Sequence, residues 1–436
     1  MTSPHDRRAD LRQTHSGPAT TPHALSPSPR ASRFRRAFAP TASVLALALV
    51  AGCSGGADDT GTPEPVFAET TTVAELPTVT TGFEDADLGA LVEGWYRGED
   101  VAHGDAVADA AEARTTRAGS ITVDGATGTW NGTQIAVLTT GEDVTLAVGP
   151  AAPETAGDGE DDGEDSEDTT VPAEWTVVGG WWPGLGLDEP ALGEGARHLL
   201  FVGADAREKE GESITNTRAD AIQMVGVDGE GGAAVVGIPR DLWVPLESGR
   251  EAKLNAALVF DGPEGQQQAV TNATGIEFDG YVLTGFEGFK AIVEDAGGLP
   301  VDSPKTVKEV SEGESTLDPD TALMYVRERK TLSGGDFDRS FHQGIALLGF
   351  AGAALGKGPT GLVDSLSLVD PHVETNVSAE DMLTFAAWTY RVDLAQVGHD
   401  VPDAPYGTSS DGQSILVNDD GVKAVFEDFS DGNLDG

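Results

Sequence analysis

His198-Leu199-Leu200-Phe201-Val202-Gly203-Ala204-Asp205-Ala206-Arg207 reads as a strand that runs straight into charge. The apolar part is long enough for a buried strand and too short for a helix. In sheets flanked by helices, ligands gather beyond the carboxyl ends of the strands, so the Asp205 and Arg207 that follow point at a site. Further strands read at 221–227, 233–238 and 281–284. Helices read at 286–295, at 319–327 with Asp318 as N-cap and Pro319 in the first position, at 340–355, and at 379–390 behind the capping-box pattern of Ser378 and Asp381. Strands interleaved with helices predict an α/β domain over 171–436, a layered central sheet flanked by helices.

The charge pattern singles out the same segment. Arg207, Arg218, Arg240, Arg327, Arg329 and Arg339 fall within it, in a chain with 73 acidic against 27 basic residues and a net charge of -46. Guanidinium groups grip phosphate bidentately, so arginines gathered here suit a multiply charged anion. Asp205 and Asp220 among them suit a hard divalent cation on that anion. Three consecutive strand ends offer Arg: the first reaches 207, the second begins after Arg218, and the third ends at Ile238-Pro239-Arg240. Farther on, Arg327 and Arg329 end a helix. Asp336 and Arg339 open the next, with Gln343 one turn beyond Arg339 on the same face. So acidic a chain has no broad positive surface for a nucleic acid backbone, which excludes nucleic acid as a partner.

Ahead of this domain, residues 1–52 read as a signal peptide. Arg30, Arg33, Arg35 and Arg36 form the basic region, 37–51 the apolar run, and Leu49-Val50-Ala51-Gly52-Cys53 closes it. Small residues before a lone cysteine resemble the bacterial lipobox, in which Cys53 would be acylated. A transmembrane anchor is the alternative, although the run is short of about 20 residues and holds Pro40. Either reading puts the rest of the chain at the extracytoplasmic face of the membrane. Residues 53–82 read as a flexible tether. Residues 83–151 read as a small α+β module, with helix-like spacing over 88–113 and strands turning at Asn131-Gly132. The acidic run within 152–170 lacks the fixed ligand pattern of a calcium loop and reads as a solvated linker.

Seven blocks in order resemble the LytR-CpsA-Psr family. They are G-A-D-A-R at 203–207, R-A-D at 218–220, I-P-R-D at 238–241, K-L-N-A-A at 253–257, G-G at 297–298, A-L-M-Y-V-R-E-R at 322–329 and D-F-D-R at 336–339. Members move glycopolymers from a polyprenyl pyrophosphate carrier to the cell wall, so the resemblance implies that phosphotransfer. It implies as partners the lipid-linked polymer and a peptidoglycan or other cell-surface acceptor. It implies a magnesium ion on Asp205 and Asp220, and a pyrophosphate clamp of Arg207, Arg218, Arg240, Arg327, Arg329, Arg339 and Gln343, with Tyr325 lining the same site. Arg218, Arg240 and Asp336 would lie at the chemistry, Asp336 as a base. The helices holding 286–292 and 345–355 would wall a tunnel for the lipid tail.

Two positions depart from the family pattern: Gly237, often Ser, and His342-Gln343-Gly344, often Arg-Gln-Gln. Other readings stay open. The same clamp could deliver water, as a polyprenyl pyrophosphate phosphatase, or hold lipid-linked glycan without turnover. Intact Asp205 and Asp220 favour catalysis over mere binding. A His-Asp hydrolase would have to use His198 or His342, and His198 reads as a packed residue opening a strand.

Overall fold

The computed structural model describes residues 76–152 and 171–434. The expected signal peptide, Cys53 and the acidic run lie outside them.

Five strands form a first sheet: β1 Thr78–Thr81, β2 Ser120–Trp130, β3 Thr133–Thr140, β4 Asp143–Ala151 and β5 Thr176–Trp181, in that order. Helices α1 Ala86–Arg97 and α2 Ala108–Ala113 pack on its outer face. The single helix-like stretch read at 88–113 is therefore two helices. Gly98 stops the first, since its left-handed φ of 73° ends the helix where a side chain would be strained. Asn131 and Gly132, both at positive φ, make the expected hairpin turn between β2 and β3.

Along the main domain come β6 Arg197–Ala204, β7 Ala219–Val227, β8 Ala233–Gly237 and the small hairpin β9 Trp243–Pro245 with β10 Glu251–Lys253. Next are α3 Ala257–Thr274, β11 Gly280–Thr284, α4 Phe286–Asp295 and the hairpin β12 Leu299–Ser303 with β13 Gly313–Leu317. Then follow α5 Pro319–Arg327, α6 Asp336–Leu355, α7 Gly361–Val369, β14 Glu374–Thr375 and α8 Ala379–Tyr390. The chain closes with β15 Gly398–Asp400, the hairpin β16 Tyr406–Thr408 with β17 Ser414–Leu416, and α9 Asp420–Asp428.

The central sheet runs β14-β11-β6-β7-β8-β15. β7 is antiparallel to both β6 and β8, while β11 is parallel to β6. The end of β6, the start of β7 and the end of β8 therefore share one edge, and this brings Asp205, Asp220 and Arg240 together. One face of this sheet packs through Leu200, Met224 and Val236 on α3 and α9. The opposite face, through Leu199, Val227 and Val282, packs on α7 and α8, whose far sides meet Ile135, Val137 and Leu146 of the first sheet.

This packing corrects the domain boundaries read from sequence. β5 lies beyond the expected linker yet pairs with β4, and β1 lies inside the expected tether yet pairs with β2. The first sheet is also bonded to the main domain: Trp130 Nε1 donates to the Val377 carbonyl at 3.0 Å, and the Asn131 N–H to Asp370 Oδ1 at 2.7 Å. Helix α6 starts at Asp336, four residues ahead of its expected start. The strands and helices read from sequence in the main domain are otherwise present, and Asp318 and Ser378 cap α5 and α8 as expected.

Candidate functional site

At the shared strand edge, Asp220 lies between two guanidiniums. Arg240 pairs with its Oδ1, and Arg339 NH1 lies 3.5 Å from its Oδ2. Asp336 stands opposite, with Arg339 NH2 at 2.7 Å, Arg240 Nε at 3.5 Å and Arg329 NH1 at 3.7 Å. Arg339 is buried and Arg240 nearly so, whereas Arg327 and Arg329 are about half exposed at the rim. Arg327 NH2 reaches Asp205 Oδ1 at 3.4 Å, and its guanidinium lies 4.0 Å from the Phe286 ring.

Burial works against the charge of Arg240, but the carboxylates of Asp220 and Asp336 outweigh it and leave its pKa above the ordinary value. For Arg339 burial wins and the pKa is lowered, with the neighbouring Arg240 adding to the effect and Asp336 opposing it. Burial, and then the negative charge of Asp220, raise the pKa of Asp205. Asp220 Oδ1, Asp336 Oδ1 and Arg240 Nε are buried within these ion pairs, and Arg339 Nε is buried with no hydrogen-bond partner. Charges are thus held close, with one buried guanidinium N–H left open.

Beneath this mouth lies a cavity of about 220 Å³, between the central sheet and α4, α5 and α6. Phe201, Val282, Phe286, Phe289, Ile292 and Phe350 make most of its wall apolar, while Asp220, Arg327, Arg339 and Gln343 stand at its polar end. The two helices expected to wall a tunnel, α4 and α6, line this cavity together with α5.

Not every expected residue joins the cluster. Arg207 and Arg218 are exposed and share a shallow surface recess with Asp205. Gln343 lines the cavity, but its Nε2 donates to the Val326 carbonyl at 3.1 Å, so it ties α6 to the end of α5. Tyr325 does not line the site. It is fully buried among Val293, Leu299 and Val301, with its ring tilted against His342 at 4.8 Å between centroids and its hydroxyl donating to Ser303 Oγ at 3.1 Å. The apolar side of α5 turns it inward, away from Arg327. His198 is packed, as expected, against Phe429.

The two departures have structural counterparts. A side chain at Gly237 would meet the Ser340 hydroxyl, which accepts from Gln223 Nε2 at 3.1 Å, and one at Gly344 would meet the His399 ring. Phe286 beneath Arg327 was not legible in the sequence. The helix it opens is readable, but contact between a ring and a cation depends on tertiary structure.

For magnesium, the donor set is consistent. Asp205 and Asp220 are near enough for the charge of Asp220 to raise the pKa of Asp205, as two carboxylates around one cation would be. Among the described residues no group of three or more His, Cys, Asp or Glu could hold a metal. One or two carboxylates completed by substrate phosphates is a usual magnesium environment. No helix among the described residues is long and apolar enough to cross a membrane.

The chain resembles cell-envelope proteins over this domain. Cell wall biosynthesis protein LcpA of Corynebacterium glutamicum is 26% identical over 300 residues, covering 56% of this chain and 58% of that protein. The polyisoprenyl-teichoic acid–peptidoglycan teichoic acid transferase TagU of Bacillus anthracis is 29% identical over 192 residues, 42% of this chain and 61% of that protein. The chain thus spans about three fifths of the length of these relatives. The crystal structure of Bacillus subtilis TagV superposes with a TM-score of 0.46 at 22% identity, over 55% of this chain and 98% of that one. Residues 186–419, from just before β6 to just before α9, match the LytR_cpsA_psr family, and the chain belongs to that family.

Proposed function

We propose that this protein is a membrane-tethered phosphotransferase of the extracytoplasmic face, moving a glycopolymer from a polyprenyl pyrophosphate carrier to the cell wall or another surface acceptor. The observation that carries the reading is the junction of an apolar cavity with a mouth of arginines and aspartates, since a lipid pyrophosphate has those two parts in that order. Relatives named as teichoic acid transferases support it.

In this reading the tail lies along Phe286, Phe289 and Phe350. The pyrophosphate meets Arg240, Arg327, Arg329 and Arg339, whose open donors it completes, with Arg207 and Arg218 at the outer rim. An acceptor hydroxyl attacks the phosphorus that carries the glycan. The new O–P bond forms as the bridging P–O bond breaks, polyprenyl phosphate leaves with the electron pair, and Asp336 receives the hydroxyl proton. Such transfer depends mainly on positioning and charge, which the guanidiniums supply by neutralising the phosphoryl oxygens. Asp205 and Asp220 would hold magnesium, which when bound adds Lewis-acid neutralisation of the phosphates. Anchoring through acylated Cys53 behind a cleaved signal peptide rests on the basic and apolar pattern of 30–53.

The half-exposed Arg327 and Arg329 leave the mouth open to solvent, so water can replace the hydroxyl and make the protein a pyrophosphatase when acceptor is lacking. Phosphate release from a short-chain polyprenyl pyrophosphate, with and without magnesium, tests the reading. Magnesium-dependent release that Arg240→Ala abolishes supports it, whereas tight binding without turnover, with or without a glycan acceptor, would leave a binding module.

A further inference from the structure

The segment after Asp205 carries a carboxylate that the proposed reaction does not use. Glu208 begins the short turn Glu208–Glu210, and its Oε2 accepts from the backbone N–H of Glu287, in the first turn of α4, at 3.1 Å. Helix α4 has no side-chain cap of its own, because Gly285 occupies its N-cap position. The first N–H groups of a helix lack internal partners and carry the positive end of its dipole, so a carboxylate from elsewhere fits them. The missing side chain at Gly285 admits it: a Cβ there would overlap Glu208 Oε1 and approach its Cδ to 2.6 Å. Lys209 adds a second tie, with Nζ 2.5 Å from Glu287 Oε2.

Helix α4 leads back to the mouth. Its first residue, Phe286, faces the cavity and lies beneath Arg327, and Arg327 reaches Asp205. The contacts close a ring through Asp205, Glu208, the start of α4, Phe286 and Arg327. We propose that Glu208 is a positioning residue, which caps α4 from the neighbouring loop and so sets Phe286 and Arg327 against Asp205. The cavity wall and the charged mouth are then aligned by one joint. This inference rests on reading the cavity and mouth as a lipid pyrophosphate site.

The test uses the full chain in detergent with geranylgeranyl pyrophosphate, comparing wild type, Glu208→Ala, Glu208→Gln, Gly285→Ala and the Glu208→Ala/Gly285→Ala double variant. Binding-competent sites are counted by calorimetric titration in EDTA, and turnover is expressed per competent site. Glu208→Ala is expected to lower kcat about fivefold to tenfold, the scale of one lost helix cap. KM stays nearly constant because the apolar contacts remain. Glu208→Gln, which can still accept the N–H, recovers most of the loss. Gly285→Ala displaces the carboxylate and reproduces the loss, and the double variant is no worse than either single one.

A second readout needs no turnover. Magnesium tightens probe binding in wild type, and Glu208→Ala loses that tightening while keeping its affinity in EDTA. Wild-type turnover and wild-type magnesium response in Glu208→Ala overturn the proposal, as do losses that multiply in the double variant. Wild-type protein that neither binds nor hydrolyses the probe overturns the pyrophosphate reading itself, and this inference with it.

Discussion

Arg339 and Asp336 lie one turn apart on α6 and pair at 2.7 Å, while the same guanidinium reaches across to Asp220 on β7 at 3.5 Å. One buried side chain therefore joins the helix to the sheet edge. Arg339→Ala is expected to destabilise the fold by about 2 kcal/mol, the scale for losing charge-assisted hydrogen bonds from a buried group, while Arg240 continues to pair with both carboxylates. Chemical denaturation measures this, and a change below about 1 kcal/mol would show that the cluster does not depend on Arg339.

Arg240 is better placed to separate function from folding. It shares both its carboxylates with Arg339, so Arg240→Ala leaves neither Asp220 nor Asp336 without a cation. The variant is expected to melt within a few degrees of wild type and to lose at least about a hundredfold in turnover, the scale of a lost group that stabilises transition-state charge. Wild-type turnover in Arg240→Ala would remove it from the site.

Tyr325 gives the opposite expectation. Its hydroxyl bonds to Ser303 in the core, so Tyr325→Phe should cost about 1 kcal/mol of stability for one lost hydrogen bond and leave kcat and KM unchanged. A variant with unchanged stability and lost turnover would place the hydroxyl at the substrate after all.

His342 and His399 predict an acid-sensitive fold. His342 is fully buried, packed at a tilt against Tyr325 with Lys305 and Asp338 near it, and His399 is stacked on Phe341. Burial pushes both pKa values from 6.5 down to about 4, with the charges of Lys305 on His342 and of His342 on His399 adding to the shift. The unfolded chain therefore binds protons that the folded chain refuses, and stability falls as pH drops from 6.5 toward 4. Glu328 titrates differently: its hydrogen bond to Lys308 lowers it from 4.5 to about 2, and its contribution is lost only as pH falls below 4.5. Melting temperatures between pH 7 and pH 5 should decline in wild type and decline less in His342→Phe. Equal slopes would show that the imidazole does not set the window.

Gly237 and Ser340 should behave as a complementary pair. Gly237→Ser alone meets the Ser340 hydroxyl and is expected to cost about 1 to 3 kcal/mol by overpacking. Adding Ser340→Ala should recover part of that cost, and additive losses in a double-mutant cycle would show that the two positions are independent.

The sequence made the polar edge of the site legible because strands and their terminating loops are local. β6 running into Asp205, β8 ending before Arg240, and the cap at Asp318 are all settled within a few residues. The position of Tyr325 was not legible, since neighbours on one helix point to different sides and only packing decides which meets the cavity. Arg207 and Arg218 share the motifs of the buried arginines yet lie at the surface, because burial depends on α6 covering one part of the edge and not another. The fifth strand of the first sheet was missed for a related reason: pairing across residues 153–170 leaves no periodic signal in either partner.

That strand has a practical consequence for anyone preparing the protein. A fragment cut at residue 171, where the composition changes, would keep β5 but lose every strand it pairs with, and would bare the sides of α7 and α8 that meet Ile135 and Leu146. Such a fragment would present an apolar sheet-docking face together with an open strand edge, two features that promote aggregation. A useful truncation begins ahead of Thr78.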